Sequence, residues 1–391
     1  MVIERIEIFI TELPTRIQRT FSSGSYDTGA SKDALGKPVL VKLHADGVTG
    51  YGQIRAISPG HFVADTVHSM VAAIRDIYGP LLKNRKLGDF EGAHQAFDSR
   101  LAGNPAARAV LDIALHDAWG KALGVPVHQL LGGCCQPQLP IEWSVSFSDD
   151  VSVMIEEARR AVEEYGIKVL CLKAAGPQGW RRDVRNFEAV RNALGFDVVI
   201  GVDPNTGWSY SDTIAFMEAV RPLDLGYIEQ PTGRRDIATL AAIRDKAAGV
   251  PVMADESLFT IEDAFQLAQG RAVDVFCIKL YKVGGLTPAR KISAIAEAAS
   301  VKLNSGGLAV QSQLEAAASA HFCASIPATR MFGAAEFAFA LGGAGRDPLV
   351  GEPAMELVDG MVTVPTGLGL GVIIDEDALE RHTIHRTEIR L

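Results

Sequence analysis

VLCLK (169–173), VVIGVD (198–203), LGYIE (225–229), VPVMAD (250–255) and VDVFCIK (273–279) are five short apolar runs, and each ends on a charged side chain. The closing residues, Lys173, Asp203, Glu229, Asp255 and Lys279, follow one another at intervals of 24 to 30 residues. Each run has the length and β-branched content of a strand. Each is followed by apolar residues at helical spacing, as in SDTIAFMEAV after Asp203 and IEDAFQLAQG after Asp255. The pattern predicts a βα repeat.

Parallel strands joined by helices are buried on both faces, so an ionised residue at a strand end needs a partner or a metal ion. In a (β/α)8 barrel the C-terminal strand ends converge on one mouth. Asp203, Glu229 and Asp255 would then form a cation site, with the ammonium groups of Lys173 and Lys279 on either side. Carboxylate oxygens with no Cys or His nearby favour a hard ion, Mg²⁺ first and Mn²⁺ next.

A chain of 391 residues, 48% of them hydrophobic, is long enough for a large barrel and a smaller domain. Its formal charge of −9 argues against nucleic acid or an anionic membrane as the main partner. An anionic substrate would have to be held locally, by a metal and lysines. The opening MVIERIEIFITELP lacks the pattern of a secretory signal, and no apolar run reaches membrane-spanning length, so a cytoplasmic location is expected. Cys134, Cys135, Cys171, Cys277 and Cys323 form neither a disulfide framework nor a CxxC pair.

Residues 1–132 read as strands followed by helices without the βα repeat. VIERIEIFI and PVLVKLHAD alternate as an antiparallel meander would, with ADGVTGYGQ supplying turn glycines. The polar segment between them reads as a surface loop or a lid over the barrel mouth. HFVADTVHSMVAAIRDIYGPLL and ARAVLDIALHDAWGKALG read as helices, the second stopping at Gly124 and Pro126. PIEWSVSF is the expected first barrel strand, VKLN the seventh, and MFGAAEFAF the eighth, ending near Glu336. The barrel is assigned to 133–350, and 351–391 is expected to return to the N-terminal domain.

With these segments in order, the chain resembles the enolase superfamily, and within it the mandelate racemase and muconate lactonizing enzyme family. VLDIALHDAWGKALGVPVHQLLGG, VDPN, YIEQP, MADES, IKLYKVGG and PTGLGLGVIIDED carry the resemblance. It implies a TIM-type (β/α)8 barrel under an α+β capping domain that the C-terminal tail completes. It also implies Mg²⁺ on Asp203, Glu229 and Asp255, with Lys173 and Lys279 flanking the substrate. The seventh strand has no histidine, which looks like the muconate lactonizing subgroup, and NSGGLAVQ lacks the Asp-x-Asp of dipeptide epimerases. That subgroup's second strand usually ends Lys-x-Lys; here Cys171 stands in place of the first lysine.

The resemblance implies removal of a proton next to a carboxylate through an enediolate, a mode of catalysis described for the superfamily as a lysine or histidine base with Mg²⁺. Cycloisomerisation of a muconate-like acid is the first expectation, with racemisation, epimerisation or dehydration as alternatives. A metal-stabilised binding protein is the non-enzymatic one. With Cys171 upstream, Lys173 is expected to be less depressed in pKa than with a second lysine, or to leave the larger role to Lys279. Asn205 and Glu336 are candidate contacts to ion or substrate, and Tyr26, Ile54 and Arg55 fall in segments expected to cover the mouth. Loops 15–33 and 50–61 are expected to select the acid. Lys282 reads as a loop charge, Gln230 and Glu256 as pointing away from the ion, and His116, Trp143, Trp208, Cys171 and Cys277 as packing residues first. A symmetric homo-oligomer is the ordinary expectation for this architecture.

Overall fold

The computed structural model describes residues 1–14, 18–21, 24–27, 37–55, 63–307, 312–343 and 345–391. The first strands are β1 (Ile3–Thr11), β2 (Gln18–Phe21), β3 (Gly24–Asp27), β4 (Val39–Ala45) and β5 (Val48–Ile54). β1, β4 and β5 form an antiparallel sheet, and the chain's last strand, Thr383–Arg390, pairs along the outer edge of β1. β2 and β3 make a separate hairpin inside the segment read as a loop or lid, and the amide of Phe147, just past the first barrel strand, donates to Thr20 O at 3.3 Å.

Asp46 and Gly47 turn β4 into β5 with positive φ at both positions (44° and 82°), which matches the twist of a two-residue hairpin loop. Gly50 and Gly52, expected as turn residues, lie instead within β5. A Cβ on Gly52 would collide with the backbone carbonyl of Val110, and one on Gly50 with that of Ala114. These glycines let a helix lie directly on the sheet. That helix is α2 (Pro105–Leu123), which follows α1 (Phe90–Arg100) in the chain. α2 opens on a proline and closes on Gly124 in the left-handed region (φ 72°).

In the barrel, β6 (Glu142–Val145), β7 (Val169–Lys173), β8 (Val199–Asp203), β9 (Leu225–Glu229), β10 (Val252–Ala254), β11 (Val275–Ile278) and β12 (Lys302–Ser305) pair in sequence order, all parallel. Helices α3 (Val151–Glu163), α4 (Trp180–Leu194), α5 (Tyr210–Val220), α6 (Ile237–Lys246), α7 (Ile261–Gln269), α8 (Leu286–Ala299) and α9 (Gln313–Ala324) follow the successive strands. Ser209 with Asp212 and Thr260 with Asp263 form reciprocal caps that fix where α5 and α7 begin. The eighth position is not a regular strand. Met331 bridges to Leu303 of β12, and Ala335 bridges to Ile141 beside β6, so an irregular segment closes the barrel between them.

Asp112 of α2 locks the N-terminal domain to the barrel. Its carboxylate accepts from Leu286 N (2.6 Å), Thr287 N (3.2 Å) and Thr287 Oγ1 (2.6 Å), capping α8, whose own cap residue is Gly285. His94 Nε2 donates to it at 2.8 Å. Burial alone would raise this carboxyl, but His116, His94 and Thr287 outweigh it and hold it down at about 2.

A carboxylate whose folded pKa is depressed stabilises the fold fully above its unfolded value and loses that contribution as pH falls through the folded one. The Asp112 contribution, roughly 2 kcal/mol, is therefore expected to disappear between about pH 4 and pH 2. Asp112→Asn is expected to cost about 3 kcal/mol at neutral pH, because its amide would turn a donor toward donors. Urea melts of both proteins at several pH values check this: the gap between them should narrow as pH falls through that window.

Candidate active site

The strand ends bring Lys173, Asp203, Glu229, Asp255 and Lys279 to one buried mouth, all at 7% exposure or less. Lys173 pairs in register with Asp203 across β7 and β8, and its Nζ lies 2.5 Å from Asp203 Oδ2. Lys279 Nζ lies 2.7 Å from Asp255 Oδ2. Burial works against both ammonium groups, yet Asp203 beside Lys173 and Asp255 beside Lys279 hold them well above their ordinary values. Burial and then Asp203 and Asp255 push Glu229 well above the carboxylate range.

Lys282 is not a loop charge. It is fully buried, and its Nζ donates to Asp255 Oδ1 (2.6 Å), Asp255 O (2.6 Å) and Cys277 O (3.0 Å). The turn Leu280–Val283 carries it back, three residues past Lys279, toward the same carboxylate. Burial would raise Asp255, but Lys279 and Lys282 together hold it below the ordinary carboxylate range. Lys282→Met is expected to destabilise the fold by about 3 kcal/mol, since it strands a buried carboxylate oxygen and two carbonyls. Chemical denaturation measures this loss, and Lys282→Arg should not restore it because the guanidinium is larger and planar.

Asn205 folds back on Asp203: its backbone N donates to Oδ1 at 2.7 Å and its Nδ2 to Oδ2 at 2.8 Å. Nδ2 also reaches Glu256 Oε1 at 3.2 Å, which brings Glu256 toward the cluster rather than away from it. Burial, Asp255 and Asp203 push Glu256 up to about 8. Gln230, at φ 30°, accepts through Oε1 from Asp255 N and Ser257 N, each at 3.0 Å, and so ties the end of β9 to the end of β10.

Glu336 is half-buried; its backbone N donates to Ser305 O at 2.9 Å, and its carboxylate fills the space where a Cβ on Gly307 would sit. Glu336 also helps to raise Lys173. Ile54 and Arg55 are buried where the N-terminal domain meets α9, with the Arg55 backbone N–H on the Glu315 carboxylate and Ser312 Oγ donating to Gln53 Oε1 at 2.7 Å. Tyr26 pairs through its backbone with Arg19, and its side chain lies outside the described residues, as do large parts of loops 15–33 and 50–61. His116, Trp143 and Trp208 are packed, bonded to Asp112 O, Glu157 and Asp183 respectively.

Two further features escaped the sequence reading. The carboxylates do have thiols near them: Cys171 Sγ lies 3.9 Å from Glu229 Oε2, and Cys277 Sγ is close to Glu229 and Asp255. Deeper in the barrel, Glu142 accepts from Tyr227 OH at 2.9 Å and is pushed up to about 8 by burial and Glu336. A glutamate inside an apolar strand was the available signal.

The donor set fits a divalent cation. Asp203, Glu229, Asp255 and Glu256 outnumber the buried ammonium groups of Lys173, Lys279 and Lys282. Glu229 Oε1 and Glu256 Oε2 are buried with no hydrogen-bond partner among the described residues. Buried carboxyl oxygens left so are costly unless a proton or a cation meets them.

Residues 28–132 match the family described as mandelate racemase / muconate lactonizing enzyme, N-terminal domain, and 153–378 match enolase C-terminal domain-like. The chain is 30% identical to a chloromuconate cycloisomerase of Cupriavidus pinatubonensis over 98% of this chain and 99% of that one. It is 30% identical to the N-succinyl-L-Arg/Lys racemase of Bacillus cereus over the whole of both, and that enzyme's crystal structure superposes with a TM-score of 0.88. The muconate lactonizing enzyme of Pseudomonas fluorescens, solved with muconolactone, is 28% identical over 98% of this chain and 99% of that one, with a TM-score of 0.88. The architecture they share is a barrel under a capping domain.

Proposed function

The chain belongs to the mandelate racemase / muconate lactonizing enzyme family of the enolase superfamily, and from that membership we propose that it moves a proton at the carbon next to a small acid's carboxylate. It is an enzyme of the isomerase kind, and its superfamily is metal-dependent. We assign the ion as Mg²⁺, held by Asp203, Glu229 and Asp255. When bound, such an ion supplies a Lewis acid that makes the neighbouring C–H more acidic.

The observation that carries the reading is the placement of Lys173 and Lys279 on opposite sides of the carboxylate set, each buried and each against a different outer carboxylate. Lys173 and Lys279 are the proton-handling residues in this reading. Asn205 and Lys282 hold Asp203 and Asp255 in place, Gln230 keeps the two strand ends together, and Glu336 borders the space beside Lys173. The domain division we adopt is 1–132 for the cap, 133–350 for the barrel and 351–391 for the returning tail. No described helix is long and apolar enough to cross a membrane.

Cycloisomerisation of a muconate-like diacid is the leading reaction. The retention of both lysines favours racemisation as the second reading, because two opposed bases suit exchange at one carbon from both faces. The test is incubation with Mg²⁺ in D₂O. Loss of diene absorbance from cis,cis-muconate or chloromuconate supports the first. Deuterium entering recovered N-acyl amino acids with inversion supports the second. Absence of both reactions, and of deuterium uptake across a library of carboxylic acids, would overturn the proposal.

A further inference from the structure

Below the carboxylates the barrel interior is floored by Cys171, Tyr227, Met253, Val275 and Cys277, all fully buried. Cys171 and Cys277 stand two residues before Lys173 and Lys279, so each thiol shares a strand face with its lysine, one layer deeper. Cys171 Sγ and one oxygen each of Asp203 and Glu229 lie within 4.8 Å of one another, and so do Cys277 Sγ and oxygens of Glu229 and Asp255. Glu229 is common to both sets. It is 3% exposed, and its Oε1 has no hydrogen-bond partner among the described residues.

We infer that this cluster has a second, softer face, on which a thiophilic divalent ion such as Zn²⁺ or Co²⁺ binds through Cys171 Sγ, Asp203 and Glu229. A zinc ion reaches thiolate sulfur at about 2.3 Å and carboxylate oxygen at about 2.0–2.2 Å, which puts tetrahedral ligand atoms roughly 3.5 Å apart. The 3.9 Å between Cys171 Sγ and Glu229 Oε2 needs only a small adjustment to reach that. On binding, the S–H bond of Cys171 breaks, its proton leaves to solvent and an S–metal bond forms, with no change of oxidation state. Thiolate ligation selects softer ions than Mg²⁺. The ion shares Asp203 and Glu229 with the proposed Mg²⁺, so the two compete. This inference rests on the carboxylates being ion ligands, as proposed above.

The exposed pair Cys134 and Cys135 would bind such ions too, so the experiment uses full-length protein carrying Cys134→Ser and Cys135→Ser. Co²⁺ is titrated in while the near-ultraviolet sulfur-to-cobalt charge-transfer band is followed, and Mn²⁺ binding is measured on the same proteins by electron paramagnetic resonance. The expected result is a band that saturates at one ion per chain, disappears in Cys171→Ser and persists in Cys277→Ser. Co²⁺ affinity of Cys171→Ser should fall by at least about ten-fold, while its Mn²⁺ binding persists and reports an intact carboxylate cage. Mn²⁺ binding without any cobalt band would overturn this inference and leave the proposed function standing. Failure of both ions to bind would remove both. A band that survives Cys171→Ser would overturn the assignment to Cys171.

Discussion

Glu229→Gln is expected to lower turnover on the order of a thousand-fold, the equivalent of roughly 4 kcal/mol of transition-state stabilisation, and to abolish stabilisation by Mg²⁺. Of the three proposed ligands, Asp203 is held by Lys173 and Asn205, and Asp255 by Lys279 and Lys282. Glu229 has the weak donor Cys171 at 3.9 Å and a second oxygen with no partner. It is therefore the carboxylate whose charge the fold alone does least to compensate. Burial and its two acidic neighbours already push its pKa well up, so a neutral isostere should be tolerated.

The variant in EDTA is accordingly expected to melt at or above the temperature of the wild type in EDTA. Addition of Mg²⁺ should raise the wild-type midpoint by mass action and leave the variant unmoved. A purely structural glutamate would give the opposite result, a variant less stable in chelator. Full activity with an intact Mg²⁺ response in Glu229→Gln would remove Glu229 from the ligand set.

The parts legible in the sequence were those in which one residue reports directly on its surroundings. Strands buried on both faces must be apolar, so a charge at the end of each of five evenly spaced runs stands out, and Asp203, Glu229 and Asp255 are three of those charges. Residues whose role depends on a turn or on another element were harder to see. Lys282 is brought to Asp255 by one helical turn, and the Lys-x-x-Lys spacing was the signal that would have placed it. Gln230 could not be read, because its bonds depend on a φ of 30° that nothing in YIEQP announces.

Gly50 and Gly52 resemble turn glycines until α2 is seen against them, and Asp112 resembles a surface aspartate until α8 is seen above it. The eighth stave lacks a strand's regularity because its segment must bridge β12 and β6 while turning through Gly333 at φ 64°. Even so, two aspartates, Asp112 and Asp117, within the largely apolar VLDIALHDAW were a visible cue for buried charges with partners elsewhere.

Lys173→Met and Lys279→Met are each expected to lower kcat by about 10²–10⁴-fold, the range for loss of a positioned acid or base. Methionine keeps the length and most of the volume while removing the charge. Each lysine stands against a carboxylate, Lys173 at 2.5 Å and Lys279 at 2.7 Å, so each variant also releases one oxygen of a proposed ligand. Mn²⁺ affinity should therefore be retained or strengthened, and that outcome separates lost proton transfer from lost metal.

β7 and β11 are separated by the three strands that carry Asp203, Glu229 and Asp255, so the two amines approach a bound acid from different sides. If the enzyme is a racemase, each variant should lose deuterium exchange from one enantiomer and keep it from the other. If it is a cycloisomerase, one substitution should abolish proton transfer altogether and the other should act through binding, raising KM more than it lowers kcat. A variant pair with wild-type kcat and unchanged exchange on both faces would remove the lysines from the chemistry.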